Sequence, residues 1–417
     1  MEVRDGYKKT EIGVIPEDWD VVSVDKNFDF YQNNTYSRDC MNEKGGDIQN
    51  IHYGDILIKY GSILDCDKEN IPFLNMGISV SLSNRTVQSG DIIITDTAED
   101  STVGKAIEVI NIKGRKVVSG LHTIFIRPHA GLFAERYLGY FFNAPIYHNQ
   151  LLPYIVGIKV SSISKKTIRN TMILRPCLEE QQAIAEVLSD VDSLISSLTK
   201  LISKKKKIKQ GVMQELLTGK KKLEGFINEI KYTSLSSLCN TFCDGDWIES
   251  KDQSDEGYRL VQTGNIGVGR FLDKSDKKRY ISRETFDRLS CTEVFYDDVL
   301  VSRLPEPAGR ACLVPELKEP MITAVDCTIL RFTNYNPVLF VNYSQTFEYQ
   351  KQISTMLGGS TRQRISRKEL GKVLVPFFPS DKEQTAIANI LSYIDAEIEV
   401  LEQKLNKYKA IKQGMMH

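Results

Sequence analysis

The apolar residues of two segments recur every seven residues, which is the clearest pattern in the chain. The first segment comprises residues 180–213 and the second 383–416. The residues on these seven-residue lines are Ile184, Val191, Leu198, Ile387, Ile394 and Leu401. Further apolar residues lie between them: Val187, Leu194, Leu201 and Ile208 in the first segment, and Ile390, Ile398, Leu405 and Ile411 in the second. Two apolar heptad positions sustained over about four heptads predict long paired helices, a coiled coil. The alternative is a pair of amphipathic helices packed on globular cores, which seldom keep a strict period of seven.

The same two segments are copies of each other. EQQAIAEVLSDVDSLISSLTKLISKKKKIKQGVM aligns without a gap onto EQTAIANILSYIDAEIEVLEQKLNKYKAIKQGMM, and half of the positions are identical. A proline precedes each copy, Pro176 for the first and Pro376 and Pro379 for the second, and Ser380 or Asp381 can cap the second helix. A helix of about 35 residues is roughly 50 Å long, so either copy is long enough to act as a spacer.

The regions before the two helices also resemble each other, but more weakly. Gly104-Lys105-Ala106 parallels Gly309-Arg310-Ala311, and residues 157–166 parallel residues 359–368. Short β-branched runs predict strands at 91–95, 121–127, 299–302 and 328–332, and helices are expected near 133–142 and 337–356. The sequence therefore predicts an α+β protein with two similar mixed α/β domains and two long helices. The predicted boundaries are 1–175 for the first domain, 176–222 for the first helix, 223–378 for the second domain and 379–417 for the second helix.

Charge indicates the direction in which the two helices pair. Each copy is acidic early and basic late, so an antiparallel pair places each acidic half against a basic half. Acidic N-terminal and basic C-terminal turns also suit the helix dipole, which explains the sign of the gradient but not the lysine run 204–207. That run is able to bind phosphates, an acidic partner surface or the opposite helix. We favour antiparallel pairing and the last of these three roles.

The composition does not decide whether the chain binds nucleic acid, but the residue spacing argues against a metal site or a catalytic site. Lys plus Arg and Asp plus Glu both number 54, so the formal net charge is zero, and binding of nucleic acid depends on how the basic residues cluster. The eight cysteines and five histidines show no metal-ligand spacing, and Cys239 and Cys243 have no second pair to complete a zinc site. There is no phosphate-binding glycine loop, no nucleophile–base pair, no signal peptide and no long apolar span. We expect a cytoplasmic binding protein without catalytic residues or a metal.

Several motifs, taken with the repeat, resemble one family. They are Glu180-Gln181, Glu383-Gln384, Ile208-Lys-Gln-Gly211, Ile411-Lys-Gln-Gly414, Ile12-Gly-Val-Ile-Pro-Glu-Asp-Trp19, Asp244-Gly-Asp-Trp247, Gln262-Thr-Gly-Asn-Ile266 and Gly359-Ser-Thr-Arg-Gln-Arg364. The chain resembles the DNA-specificity subunits of type I restriction-modification enzymes over nearly its whole length. One departure is that the second helix has no Leu-Leu-Thr-Gly-Lys sequence like the one that follows the first.

The resemblance implies a division of labour. Each domain would be a target-recognition domain that reads one half of a bipartite target in double-stranded DNA, and the coiled coil would fix the spacer between the halves. Methylation subunits carrying S-adenosylmethionine would dock on the helices. Motor-nuclease restriction subunits using ATP and magnesium would join them, while this chain itself would hold no cofactor.

Candidate DNA-binding residues lie in polar or basic loops beside the predicted strands. Arg and Lys suit guanine, Gln suits adenine, and Ser and Thr suit either base or a phosphate. The candidates are Thr95, Lys105, Lys159, Ser161 and Ser162 in the first domain, and Ser302, Arg303, Arg310, Thr361, Arg362, Gln363 and Arg364 in the second. Each is equally able to be a solvated surface residue or an internal hydrogen-bonding residue.

Two other functions compete with DNA recognition. A pair of binding modules on a coiled coil would also serve as a protein-interaction scaffold that does not bind DNA. An autonomous methyltransferase or nuclease is disfavoured because the motifs for those activities are missing. A strong dependence of DNA binding on salt would separate the first rival from DNA recognition, because phosphate contacts release counterions.

Overall fold

A computed structural model describes residues 4–78, 86–157, 159–227, 229–359 and 363–417. The chain divides into two compact units. Unit 1 comprises Met1–Leu198 and Leu405–His417, and unit 2 comprises Thr199–Lys404. Each unit therefore contains one mixed α/β domain together with parts of both long helices.

Unit 1 is a mixed α/β unit made mostly of short strands. Its strands are β1 (Tyr7–Thr10), β2 (Gly13–Pro16), β3 (Asp20–Ser23), β4 (Phe28–Tyr31), β5 (Met41–Asn42), β6 (Gln49–Ile51), β7 (Ile63–Asp65), β8 (Phe73–Leu74), β9 (Ile92–Thr95), β10 (Thr97–Ala98), β11 (Ala106–Ile110), β12 (Val117–Ser119), β13 (Thr123–Pro128), β14 (Ser161–Ser162) and β15 (Met172–Arg175). Its short helices are α1 (Val24–Asn27), α2 (Tyr53–Ile58), α3 (Tyr137–Phe141), α4 (Pro145–Leu151) and α5 (Lys165–Arg169), and the long helix α6 (Leu178–Leu216) begins here.

The centre of unit 1 is a five-stranded sheet in the order β4-β13-β9-β11-β7. Strand β9 pairs antiparallel with β11 and β13, and both of its faces are buried. Ile92 and Ile94 pack into one apolar cluster, and Ile93 packs into another on the opposite face. Burial on both faces explains why this strand is a continuous β-branched run and does not alternate with polar residues.

Unit 2 repeats this plan. Its strands are β16 (Lys231–Ser234), β17 (Cys239–Asp244), β18 (Tyr258–Val261), β19 (Tyr280–Ile281), β20 (Glu293–Val294), β21 (Val299–Ser302), β22 (Ala311–Leu313), β23 (Met321–Thr323), β24 (Cys327–Phe332) and β25 (Leu374–Phe377). Its helices are α7 (Arg283–Leu289), α8 (Pro337–Tyr343), α9 (Phe347–Thr355), α10 (Arg367–Lys372) and the long α11 (Asp381–Met415).

The central sheet of unit 2 has the order β17-β24-β21-β22, which corresponds to β4-β13-β9-β11 of unit 1. A parallel pair also recurs, β6 with β12 in unit 1 and β18 with β23 in unit 2. Val299 and Val301 of β21 face one apolar cluster, and Leu300 faces another. The α+β fold with two similar domains is therefore confirmed. The helix expected near 133–142 is confined to α3 (Tyr137–Phe141), and the helix expected near 337–356 is interrupted at Ser344–Thr346.

The Glu-Gln motif anchors the start of each long helix. The Gln181 side chain accepts a hydrogen bond from the Ala134 amide and donates to the Pro176 carbonyl oxygen. Gln384 accepts from the Asn336 amide and donates to the Phe378 carbonyl oxygen. Both glutamines are almost fully buried, so each satisfies backbone groups that would otherwise have no partner.

The buried stripe of each long helix follows only part of the predicted pattern. Ile387, Ile394 and Ile398 of α11 are buried, and Leu401 is half-buried. In α6, Leu198 is buried and Ile184 and Val191 are half-buried, but the second buried line runs through Leu188 and Ile202. The interleaved residues Val187, Leu201, Ile208, Ile390 and Ile411 are exposed. The pattern alone does not separate these lines, because apolar residues occupy three heptad positions and only some of them become buried. The first turns also pack on the domains, with Ala185 in the unit 1 core and Ile387 in the unit 2 core.

Ion pairs confirm that the two long helices are antiparallel. In unit 2, Lys206 pairs with Glu402 at 2.6 Å and Lys209 with Asp395 at 2.7 Å, so positions rise along α6 as they fall along α11. In unit 1, Lys412 of α11 pairs with Asp192 of α6 at 2.7 Å. Lys205 and Lys206 of the lysine run pair with Glu397 and Glu402, which supports the favoured role for that run.

Candidate nucleic-acid interface

In unit 1, two loops that carry the predicted binding residues lie side by side at one end of the central sheet. We call residues 95–105 together with the described residues 156–157 and 159–163 the unit 1 loop pair. The Ile163 amide donates to the Asp96 carbonyl oxygen at 2.9 Å, and Ser162 of β14 pairs with Thr97 of β10. The structure thus brings together Thr95, Lys105, Ser161 and Ser162 from segments that are distant in sequence.

Unit 2 builds the same arrangement, which we call the unit 2 loop pair, from residues 302–310 and the described residues 358–359 and 363–365. The Ile365 amide donates to the Arg303 carbonyl oxygen at 3.1 Å, the counterpart of the bond from Ile163 to Asp96. The base of the first loop is closed by Ser302 N to Arg310 O at 2.9 Å, as Thr95 N to Lys105 O closes it in unit 1. The loop pair is therefore a repeated feature of the fold.

Several candidates in unit 1 make internal hydrogen bonds. Thr95 is fully buried and its hydroxyl donates to the Lys105 carbonyl oxygen at 3.2 Å. The Lys105 ammonium donates to the carbonyl oxygens of Leu57 at 3.0 Å and Tyr60 at 2.9 Å, and burial lowers its pKa. Lys159 is exposed, and Ser161 and Ser162 are half-buried. Among these five, the last three have surface available to a ligand.

The corresponding residues of unit 2 are also largely internal. Ser302 is fully buried, and Arg303 is 8% exposed, with its guanidinium 3.3 Å from Asp244 and 3.7 Å from Asp326. Arg310 donates to the carbonyl oxygens of Ile266 at 2.7 Å, Thr263 at 2.9 Å, Leu304 at 2.9 Å and Pro307 at 3.1 Å. These arginines fix the loops in place, and their direct contact with DNA stays a prediction.

The exposed positive charge in the described part of the unit 2 loop pair lies on its second segment. Gln363 and Arg364 are exposed, and the Arg364 guanidinium is 3.9 Å from Asp326. Arg367, which the sequence interpretation missed, lies 3.9 Å from Asp244 with 48% of its side chain exposed. The predicted residues Thr361 and Arg362 lie outside the residues that the structure describes.

A histidine beside the unit 1 loop pair was also missed. His122 Nδ1 is 3.2 Å from Asp96 Oδ1 and 3.3 Å from Thr97 Oγ1, and its ring packs edge-on against Tyr53 at 5.2 Å. Its backbone φ is 54°, the left-handed region that L-residues seldom adopt. In the sequence the five histidines show no metal-ligand spacing, and nothing in the sequence places this one beside Asp96. A histidine and an aspartate on an exposed loop supply one donor and one acceptor for base edges.

A cluster of basic residues in unit 2 was missed as well, although the run Lys277-Lys278-Arg279 is visible in the sequence. These residues, with Lys274 and Arg259, line a cavity of about 270 Å³ closed on one side by the 3₁₀ turn Thr263–Asn265. Arg310 joins the 3₁₀ turn that lines the cavity to the unit 2 loop pair, because its guanidinium donates to the carbonyl oxygens of Thr263 and Leu304. The basic surface of this unit therefore extends beyond the predicted loops.

The described residues include no cluster of three or more His, Cys, Asp or Glu side chains arranged to hold a metal ion. The helices within the described ranges are all too short or too polar to cross a membrane.

Comparison with known proteins gives a consistent result. A family described as the type I restriction modification DNA specificity domain matches the chain twice, at residues 16–210 and 228–410. A Methanocaldococcus jannaschii protein named as the MjaX type I restriction enzyme specificity subunit is 23% identical over 99% of this chain and 95% of its own length. The two matches coincide with the two repeats of the fold.

Two solved structures share the fold. The S subunit of a type I restriction-modification system from M. genitalium has a TM-score of 0.59 at 14% identity, covering 100% of this chain and 97% of its own. A chain from a structural study of complex assembly and conformational transition in the type I R-M system has a TM-score of 0.53 at 15% identity, covering 96% of this chain and 97% of its own. At this identity the likeness concerns the fold alone.

Proposed function

Because the chain belongs to the family of type I restriction-modification DNA specificity subunits, we propose that each of its two units reads one half of a bipartite DNA target. The observation that carries the proposal is the repeated loop pair. Both units hold it with equivalent backbone hydrogen bonds, but the exposed side chains on it differ. A common scaffold with different side chains suits two domains that do the same job on different base sequences.

The side chains on each loop pair suggest which contacts read bases. In unit 2, Arg364 and Arg367 are exposed and partly oriented by Asp326 and Asp244. An arginine held in a fixed orientation is suited to bidentate hydrogen bonding with guanine O6 and N7. In unit 1, His122 and Asp96 offer a mixed donor and acceptor pair. The unit 2 half of the target is therefore expected to be richer in guanine contacts.

The long helices would serve two further purposes. Their antiparallel pairing, fixed by Lys209–Asp395 and Lys412–Asp192, would make the coiled coil a ruler for the unread spacer. The apolar side chains that the pairing leaves exposed would supply docking surface for methylation subunits, since exposed apolar stripes on helices are common partner sites. They include Val187 at 49% exposure, Leu201 at 40% and Ile208 at 44%.

In this proposal the chain itself catalyses no reaction. S-adenosylmethionine, ATP and magnesium would be bound by the methylation and restriction subunits that assemble with it on double-stranded DNA. The chain would contribute position, by placing the target adenines where the methylation subunits reach them.

Mapping methylated adenines tests the proposal directly. DNA would be sequenced from cells expressing the chain with its methylation subunit, and from matched cells in which only this chain is deleted. We expect a two-part motif with a fixed gap that disappears in the deletion. Methylation that persists without the chain would refute the proposal.

The rival scaffold function predicts a different outcome. A protein-interaction module would give no chain-dependent methylation, and its retention on DNA would respond little to salt. DNA recognition predicts that the logarithm of the binding constant falls linearly with the logarithm of salt concentration, at about 0.9 per neutralised phosphate.

A further inference from the structure

The basic cavity of unit 2 lies outside the loop pair and has no assigned role. Its volume is about 270 Å³, and the charged residues that line it are Arg259, Lys274, Lys277, Lys278 and Arg279. All five are cations, and the lining contains no carboxylate. Positive charge concentrated in a concave surface raises the local potential for an anion.

The cations of this cavity differ in how they are neutralised. Arg259 is 2% exposed and pairs with Asp273 and with Glu319, the latter at 2.9 Å. Lys278 also pairs with Glu319, at 2.7 Å. The remaining three, Lys274, Lys277 and Arg279, are exposed, and none of them pairs with a carboxylate in the described part of the chain. The positive charges deep in the cavity are therefore neutralised by carboxylates, whereas the charges at its rim are not.

The opposite wall of the cavity is rigid. Asn265 accepts a hydrogen bond from the Gln262 amide and donates to the Leu272 carbonyl oxygen, which joins the 3₁₀ turn to the start of the basic segment. Arg310 holds the same turn from behind through the Thr263 and Ile266 carbonyl oxygens. The end of the basic segment is tied to β18 by the bond from Leu260 N to Arg279 O at 2.8 Å. A ligand in this cavity would meet a wall that is already formed.

We propose that this cavity binds a backbone phosphate of the DNA read by unit 2, with Lys274, Lys277 and Arg279 supplying the charge. The assignment rests on the proposed function and names the part of the DNA that this surface contacts. Arg310 connects the cavity wall to the loop pair, so a phosphate bound here fixes the position of the strand relative to the reading loops. Contacts of this kind set register and carry no base information.

A salt titration of DNA binding tests the assignment. The complex of the full chain with its methylation subunits would carry Lys274→Gln and Lys277→Gln together, and binding would be measured on the mapped target and on DNA with an altered target. We expect the plot of log binding constant against log salt to become shallower by about 0.9 for each lost phosphate contact, which is about an eightfold weaker complex at ~0.1 M salt for one contact. The loss should be equal on both DNAs, and the methylated motif should be unchanged.

Two control variants separate the loss of a phosphate contact at the cavity from a general loss of positive charge. Lys351→Gln with Lys382→Gln removes the same charge from exposed positions of unit 2 and should keep the wild-type slope. Lys274→Arg with Lys277→Arg keeps the charge and should restore most of the binding. An unchanged slope in the glutamine variant overturns the assignment, as does a change in the bases that are methylated. If the wild-type complex does not bind DNA at all, the proposed function fails and this assignment fails with it.

Discussion

At the scale of single residues, Arg310 shows how a loop that carries candidate binding residues is held in place by hydrogen bonds. Its guanidinium donates four hydrogen bonds to backbone carbonyl oxygens on two different segments, Thr263 and Ile266 on one and Leu304 and Pro307 on the other. The equivalent Lys105 in unit 1 makes two such bonds, to Leu57 and Tyr60. Planar geometry with several donors allows an arginine to join segments that a single ammonium group cannot.

We therefore expect Arg310→Met to destabilise unit 2. Loss of hydrogen bonds from a charged donor, with carbonyls left unpaired, should lower the free energy of unfolding by about 2–4 kcal/mol. Denaturant titration of the full chain measures this. Arg364→Met, at an exposed position 3.9 Å from its nearest ion-pair partner, should cost less than about 0.5 kcal/mol. A stable Arg310→Met variant that reads different bases would instead place Arg310 on the DNA.

Glu108 is a second residue whose role follows from burial. It is 2% exposed and accepts hydrogen bonds from the backbone amides of Arg136 at 2.5 Å and Gly139 at 2.8 Å, at the start of α3. Burial raises its pKa to about 7, while the two amides act in the opposite direction. The corresponding position of unit 2 is Leu313, so this acidic group is particular to unit 1.

This raised pKa predicts a pH dependence of stability. Because the folded-state pKa lies above the unperturbed 4.5, the folded chain holds more protons than the unfolded chain between those values, and stability falls as pH rises through about 7. The contribution is at most about 3 kcal/mol, at 1.36 kcal/mol per pKa unit. Glu108→Gln should flatten the fall in the thermal midpoint between about pH 4.5 and pH 7, and Glu43→Gln at an exposed position should not. An equally steep fall in both variants would assign the pH dependence to other groups.

The sequence located the candidate residues of the two loop pairs, but it did not show whether their side chains point to solvent or into the protein. Comparison of the repeats marked Lys105 and Arg310 as equivalent positions, and the structure shows the same equivalence for Thr95 and Ser302. Whether a polar side chain at the end of a strand points to solvent or closes its own loop depends on the segment packed beside it, and that segment lies far away in sequence. His122 and Arg367 were missed for the same reason, because their partners Asp96 and Asp244 are brought close only by folding.

At the scale of secondary-structure elements, two equivalent ion pairs join the two long helices. Lys209–Asp395 in unit 2 and Lys412–Asp192 in unit 1 occupy equivalent positions of the repeat, and each has a shortest distance of 2.7 Å. In both cases the lysine lies on the buried stripe and its side chain is mostly covered, 12% exposed for Lys209 and 20% for Lys412. A charge on the seam between two helices favours the one register and direction in which it meets its partner.

A charge swap tests this role. Lys209→Asp alone places two carboxylates together and should destabilise the helix pair, and Asp395→Lys alone should do the same with two ammonium groups. The double variant Lys209→Asp with Asp395→Lys should recover about 1 kcal/mol in a double-mutant cycle. The exposed pair Arg283–Asp287 within α7 provides the comparison, where the same swap should recover less than about 0.5 kcal/mol. Zero coupling for the seam pair would mean that this ion pair does not help to fix the register.

The apolar pattern predicted that these helices exist and the charges predicted their direction, and both predictions are confirmed. The choice of seam was partly wrong in α6, where the line through Leu188 and Ile202 is buried and Val187 and Leu201 are exposed. When three rows of apolar residues each recur every seven positions along a helix, the period alone does not show which row stays exposed. The exposed row is recognised only in the folded protein, where the other rows are buried.

At the scale of the whole molecule, the chain is a tandem repeat, and each repeat is a mixed α/β domain followed by a long helix. The helices have kept half of their positions identical, while the domains share mainly their strand order and the loop pair. Identity in the helices is expected if each copy must fit the other helix and the same kind of partner. Divergence in the domains is expected if each reads its own half of the target.

If the coiled coil sets the spacer, its length must determine the gap in the target. Inserting one heptad into α6 after Ile202 and one into α11 after Ile398 preserves the seam and lengthens each helix by about 10 Å, at ~1.5 Å per residue. At ~3.4 Å per base pair the gap between the two half-targets should grow by about three base pairs, with both half-sequences unchanged. Methylation mapping in cells with the methylation subunit measures the gap. Inserting the heptad into α6 alone should abolish methylation, because the facing residues no longer match and the pairs Lys209–Asp395 and Lys412–Asp192 cannot form together. A double insertion that still methylates the original motif would show that the two domains are positioned by something other than the helices.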